Sequence, residues 1–401
     1  MTVPLRTPNV VGFRALAGDI PVRAKAVAAV AAAHADAVDR DGRFPIEAIE
    51  AAREQRLLGL MVPRAFGGEG ASVAEIAEVC YSLGRGCAST AMIFAMHQVK
   101  VACVIRHGLA NDWHAQFIQR LLREQLLVAS STTEGNNGGA VRSSEAPIER
   151  EGEAISLTRL ASVISYGVEA DAVVTTARRD AASVASDQVL TVFLKEDYSL
   201  ERTLEWDTLG MRGTCSAGFT LRAQGEAAQI LPEPYEAIHA QTMVPCAHLM
   251  WSGVWAGVAA GAVERARKYI RKAARNGTGE LPPGAAHYTK AASTLRTLRA
   301  LICASLDRYE AIAGDSAALS MVGFQTDIAL LKVEVSELAV ATVLHALRAC
   351  GLSGYRNDTD VSIGRHLRDI LSSPIMINND RILAGLGGSA VIGETPATLR
   401  G

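Results

Sequence analysis

The sequence predicts an α+β fold in three parts: an N-terminal α-helical domain over 1–125, a central β domain over 126–238 and a C-terminal four-helix bundle over 239–401. Three observations predict it. Helical periodicity runs through the first part and resumes after residue 240. Between them Val, Thr and turn residues take over. The helical runs of the last third are long and have few breakers, the pattern of an antiparallel bundle.

In the first part apolar residues recur at helical spacing through 20–60: Val22, Val27, Val30, Ala33 and Val38, then Ile46, Ile49, Leu57 and Leu58. PRAFGGEGAS (63–72) is a Gly-rich break. Ser72 then predicts a helix N-cap, with Glu75 completing a capping box. Helical pattern continues through 73–84, 88–107 and 111–125. The character changes at LLVASSTTEGNNGGAVRSS (126–144), and segments 126–133, 154–164, 172–178, 188–195 and 217–223 predict the strands of a barrel-like domain. After the prolines at 232 and 234, helices are predicted over 249–275, 285–313, 322–350 and 365–390.

About half the residues (49%) are apolar and the net charge is −2, which gives no sign of a nucleic-acid partner. The seven cysteines are scattered, with no CxxC and no Cys/His cluster, so no metal site is expected. Their apolar surroundings suit buried thiols in a reducing cytoplasm. No charged stretch leads into an apolar core at the N-terminus, so no signal peptide is expected and the location predicted is cytoplasmic. The longest apolar run, near 250–263, is broken by glycines and flanked by amphipathic sequence; a buried helix is expected there, not a membrane span. There is no GxSxG and no GxxxxGK[ST], so hydrolase and phosphotransfer readings have no support.

Several motifs, in order, carry a resemblance. PRAFGGEGAS is followed by EIAEVCYSLGRGCASTAMIFAMH, then TTEGNNGG (132–139), ASVISYGVEAD (161–171), WDTLGMRGTCS (206–216), VAAGAVERA (258–266) and ACGLSGY (349–355). Together they resemble the acyl-CoA dehydrogenase superfamily of flavoproteins over nearly the whole chain. The resemblance implies an enzyme with a flavin, FAD or alternatively FMN, held between the β domain and the bundle. It assigns the flavin to Thr132, Thr133 and Gly138 of the loop, Val163 and Ser165 of the following strand, and Arg348 and Gly351 of the bundle. Small residues and glycines in 132–139 would let backbone N–H groups approach the ring or a phosphate. Ser165 matches a hydroxyl that relatives place near flavin N5, and Val163 stands where they often carry Trp.

The chain departs from the family pattern in three places. The Arg that relatives direct at a neighbouring subunit's dinucleotide has Arg275 as its nearest counterpart, and Arg348 stands about where they carry Gln. The Lys of the 157–165 strand is missing. The glutamate that removes the substrate α-proton is expected about eight residues beyond an Arg-Asp pair, and counting from Arg368–Asp369 lands on Ile377. The alternative position for that base is Val254. Asp380 comes about three residues late, which turns a regular helix by roughly 300°. It could serve only if Pro374 breaks the helix. Asn378 can hold a substrate carbonyl by hydrogen bonds but cannot take a proton.

Two activities stay open, and the family resemblance puts the first ahead although its usual base is missing. The first is oxidation of an acyl thioester, on CoA or a carrier protein, at its α,β-carbons, with Asp380 as base. The second is a monooxygenase of the same fold that uses reduced flavin from a separate reductase, with Ser165 and His97 beside the flavin. A non-catalytic relative without the base is the third possibility. Trp251 and Trp255, four residues apart on one helix face, with His248 nearby, are candidates to line a pocket for a small-molecule substrate. Helix 322–350 is apolar on more than one face, which predicts a homotetramer.

Overall fold

The structure is a computed structural model that describes residues 18–135, 141–276 and 281–392. The N-terminal part is helical: α1 (Ile20–Asp41), α2 (Ile46–Glu54), α3 (Val73–Gly86), α4 (Ala88–Gly108) and α5 (Asp112–Glu124). The capping box forms as expected, with the Ser72 N–H donating to Glu75 at 2.8 Å and the Glu75 N–H donating to Ser72 Oγ at 3.2 Å. Helix α4 has no polar face. It is buried almost from end to end, including His97, Gln98 and Lys100.

The central part forms two sheets instead of a single closed barrel. One has the order β1-β4-β5, from β1 (Val128–Ser131), β4 (Ala172–Arg178) and β5 (Gln188–Leu194). The other is antiparallel with the order β2-β3-β7-β6, from β2 (Glu149–Glu151), β3 (Ala154–Ile164), β6 (Tyr198–Leu204) and β7 (Ala217–Glu226). The β3–β7 register shifts between Ala161 and Ile164. Such an irregularity re-aims side chains locally, and Val163 sits in it.

Beyond α6 (Tyr235–Ile238) the chain makes one π-helical turn, His239–Met243, before entering α7 (Val244–Asn276). Then follow α8 (Ala285–Ile312), α9 (Ser316–Ser320) and α10 (Val322–Tyr355), and α7, α8 and α10 pack together. The helix expected over 365–390 is two helices, α11 (Gly364–Ile370) and α12 (Asn379–Ile392), split by turns around Pro374. Helix α7 lies close against α3: a Cβ on Gly84 would collide with the Val254 carbonyl, and one on Gly257 with that of Tyr81. These small residues explain the glycine-broken apolar run. Two helical stretches, Ala88–Gly108 and Tyr235–Asn276, are long and apolar enough to cross a membrane, and both are buried inside the fold.

Candidate functional site

A cavity of about 510 Å³ opens where the β domain meets α4, the π-helical turn, α7 and the 371–378 turns. Its walls are mostly apolar. On the helical side stand Met92, Met96, Val99, Met243 and Trp251, and the 371–378 turns add Ile375, Met376 and Ile377. Most of its polar groups fall into two sets. Thr132, Thr133, Ser165, Thr214 and Ser216 come from the β domain, while Lys100, Tyr235, His239 and His248 come from the helices.

The β-side hydroxyls form a chain with a fixed direction. Thr214 donates to the Met211 carbonyl at 2.8 Å. Its only proton is thereby used, so Ser216, 2.8 Å away, donates to Thr214. Ser165, 2.7 Å from Ser216, must then donate to it. Ser165 is left with lone pairs, not its proton, for the cavity. The loop carrying Met211 is held by the C-terminal part: Asp369 accepts the Met211 N–H at 2.7 Å, and any Cβ on Gly210 would strike the Arg368 backbone. Burial pushes the Asp369 carboxyl up to about 6.

On the helical side, His248 Nδ1 lies 2.9 Å from the Ile328 carbonyl. A carbonyl only accepts, so Nδ1 carries the proton and Nε2 is an acceptor. Burial holds both His239 and His248 at about 4, neutral imidazoles at physiological pH. The π-helical turn is fixed by Thr242, whose hydroxyl is 2.7 Å from His107 Nε2, while His107 Nδ1 meets Glu233 at 2.8 Å.

The structure brings Thr132, Thr133, Val163, Ser165, His248 and Trp251 together at this cavity. Gly138 lies outside the described residues. The remaining expected site residues stand apart from it. His97 is fully buried behind the wall, with Nε2 2.8 Å from the Leu58 carbonyl and Nδ1 accepting the Val128 N–H at 3.0 Å. Both nitrogens serve the backbone, so His97 ties α4 to β1. Asn378 is exposed and caps α12, accepting from the Asp380 N–H at 3.0 Å. Asp380 is exposed on the first turn of α12. Arg348 and Gly351 are exposed on α10, away from the cavity. Trp255 is buried with its ring 5.7 Å from the Lys332 ammonium. Lys100, His239, Thr214 and Ser216 join the site without having been anticipated. The signal for Lys100 was a charge on a helix with no polar face.

Residues 22–125 match the sequence model for the acyl-CoA dehydrogenase N-terminal domain, and 240–385 that for the acyl-CoA dehydrogenase C-terminal domain. The chain is 24% identical over 378 residues to a probable FMNH2-dependent monooxygenase of Pseudomonas putida, covering 90% of this chain and 92% of that one. It is 31% identical over 123 residues to the 3-sulfinopropanoyl-CoA desulfinase of Paraburkholderia xenovorans, a match covering 30% of this chain and 31% of the relative. A match to a putative acyl-CoA dehydrogenase of Bacillus subtilis likewise spans only 48% of that protein, at 26% identity over 46% of this chain. Among solved structures, the FMN-bound form of TdsC, a dibenzothiophene monooxygenase of Paenibacillus sp. A11-2, superposes with a TM-score of 0.81 at 18% identity, covering 94% of this chain and 98% of that one.

Proposed function

Because the chain belongs to the acyl-CoA dehydrogenase superfamily of flavin-dependent oxidoreductases, we propose that it is a monooxygenase fed with reduced flavin by a separate reductase, and not a thioester dehydrogenase. One observation carries this reading: among the described residues no carboxylate lines the cavity. A dehydrogenase must remove a weakly acidic α-proton, and a general base contributes about 10²–10⁴-fold to such a step. The two positions where the resemblance puts that base hold Ile377, in the wall, and Val254, buried on α7. The two cavity imidazoles, at about 4, are weak bases at neutral pH, and Lys100, at about 8, is mostly protonated there. The long match to a probable FMNH2-dependent monooxygenase agrees with this choice.

The cavity residues fit a flavin. Reduced flavin carries a proton at N5, and Ser165 offers a lone pair because its own proton is committed to Ser216. Thr132 and Thr133 add hydroxyls on the same side. Reduced flavin supplies the two electrons with which oxygen is split, one oxygen atom passing to the substrate and the other leaving as water. The chain's part is to bind and orient. The methionines and Trp251 exclude water, and His248 Nε2 accepts a hydrogen bond from a substrate or flavin donor.

The test compares two assays of the purified protein. In one, FMN, NADH, a flavin reductase and oxygen are supplied with a panel of small organic substrates, and oxygenated product is sought. In the other, the protein is loaded with FAD and mixed anaerobically with acyl-CoA thioesters. Reductase-dependent oxygenation with no flavin bleaching by thioesters is expected. Bleaching by a thioester would overturn the proposal.

A further inference from the structure

Lys100 faces the cavity from the middle of α4, and its surroundings do not suit an empty ammonium. Its Nζ lies 3.4 Å from Met243 Sδ, a thioether that is a weak acceptor. The side chain is 3% exposed. Met96 and Val99 flank it on the same helix. The charged groups bearing on it offer no compensation. Arg159 on β3 is of the same sign and is already engaged with Glu134 at 3.5 Å. His239, across the π-helical turn, is held neutral, and Cys103 on the same helix is a buried thiol held in its protonated form. Burial, with the like charge of Arg159 adding to it, pulls the Lys100 amine down to about 8. A buried cation without a counter-charge is costly unless a ligand supplies one.

We infer that Lys100 anchors the acid group of the substrate, which is a small, otherwise apolar molecule carrying a single carboxylate- or sulfonate-type anion. This rests on the cavity being the flavin-dependent site. The apolar wall takes the hydrocarbon part, and Lys100 selects against neutral analogues of the same shape. The acyl end of an ordinary thioester brings no charge to this position and leaves the ammonium unpaired. A flavin phosphate has the same anionic chemistry, so the experiment must separate the two sources.

Hexanoate and hexane-1-sulfonate, against neutral hexanamide, are titrated calorimetrically into wild type, Lys100→Met and Lys100→Arg. FMN and riboflavin are titrated into the same proteins by fluorescence quenching. At pH 7 wild type should favour the anions over hexanamide by roughly ten- to a hundredfold, the worth of one hydrogen bond to a charged group. Lys100→Met should abolish that preference without weakening hexanamide binding, Lys100→Arg should keep part of it, and the FMN-to-riboflavin ratio should not change. Lys100→Met removes a buried charge and should melt no lower than wild type, so misfolding is not the expected confounder. Lys100→Gln is the second variant, with the same expected loss. An anion preference that survives in both Met and Gln variants overturns the proposal. So does a selective loss of FMN over riboflavin, which would give Lys100 to the flavin phosphate. Anion selectivity that depends on Lys100 but comes without reductase-dependent oxygenation would leave the anchor standing and reject the monooxygenase reading.

Discussion

Replacing Ser216 by Ala should change which redox state of flavin the protein prefers. In the wild type the chain Ser165 to Ser216 to Thr214 to the Met211 carbonyl consumes every hydroxyl proton, with links of 2.7, 2.8 and 2.8 Å. Ser165 therefore presents lone pairs to the cavity. That suits the N–H of reduced flavin and opposes the bare N5 of the oxidised form. Ser216→Ala frees the Ser165 proton to turn towards the cavity, so oxidised flavin gains a hydrogen bond worth about 1 kcal/mol. Affinity for oxidised FMN should rise about fivefold, while affinity for reduced FMN stays nearly constant. The midpoint potential of the bound two-electron couple should fall by about 20 mV. Thr214→Val should act in the same direction, because it removes the acceptor that holds the Ser216 proton. The assays are fluorescence titration with oxidised FMN, anaerobic titration with reduced FMN, and potentiometry of the bound flavin. An unchanged oxidised-to-reduced affinity ratio in both variants would refute the assigned direction of the chain.

Three further outcomes are expected. Asn379→Leu should destabilise the fold by about 3 kcal/mol, since it leaves the buried Lys332 ammonium, now 2.6 Å from Asn379 Oδ1, without that acceptor; in urea unfolding, adding Lys332→Met should recover most of the loss, and simple additivity would count against the pairing. Asp369, raised to about 6 by burial, binds its proton more tightly folded than unfolded, so its contribution to stability is complete below about pH 4 and is lost as pH rises through 6; the melting temperature of Asp369→Asn should therefore gain on wild type between pH 4 and 7, and parallel profiles would exclude this. Met321, just before α10, and Val322, Leu352 and Tyr355 on it are between 64% and 75% exposed, and an assembly of copies through this helix should sediment as a tetramer at micromolar concentration, with Leu352→Glu driving it towards smaller species.

Most of the helical architecture was legible because long amphipathic or wholly apolar runs leave few alternatives, and the Ser72–Glu75 pair marked a helix start to the residue. Two strands were not. β2 is the exposed tripeptide Glu149–Glu151, and β6, YSLERTL, lies on a sheet edge with most of its residues exposed, so neither carries a strong apolar alternation. Pro374 in LSSPIMIN permitted a break, but the helical spacing of 365–390 favoured a single helix where α11 and α12 are split. At the site, Thr132, Thr133 and Ser165 were legible through the resemblance of their motifs to the family's flavin loop and strand. His97 misled because a histidine on an apolar helix looks the same whether it faces a ligand or a backbone carbonyl. His239 could not be placed because a π-helical turn shifts the register on which helix-face reasoning depends.

The backbone supports the location of the site independently of its side chains. Among the described residues, the non-glycine positions with left-handed φ are Arg56, Gln125, Tyr166, Met211, Cys215, Ile377 and Asn378. All but Arg56 and Gln125 line the cavity or adjoin a residue that does. Each such conformation costs about 1–3 kcal/mol and persists only where its surroundings impose it. Ile377 is the telling case, because a β-branched residue is poorly suited to φ 59°. Its neighbours impose that conformation. Asn378 caps α12 just beyond it, and Asn379 is locked to Lys332, Ser336 and Glu337. The turn thus holds a hydrocarbon where the family resemblance places a proton acceptor. The same cavity is lined by two neutral imidazoles and one ammonium whose hydrogen bond goes to a thioether. Those groups can hold an anion and shield a reactive flavin, and none of them is a carboxylate standing where the family resemblance places its base.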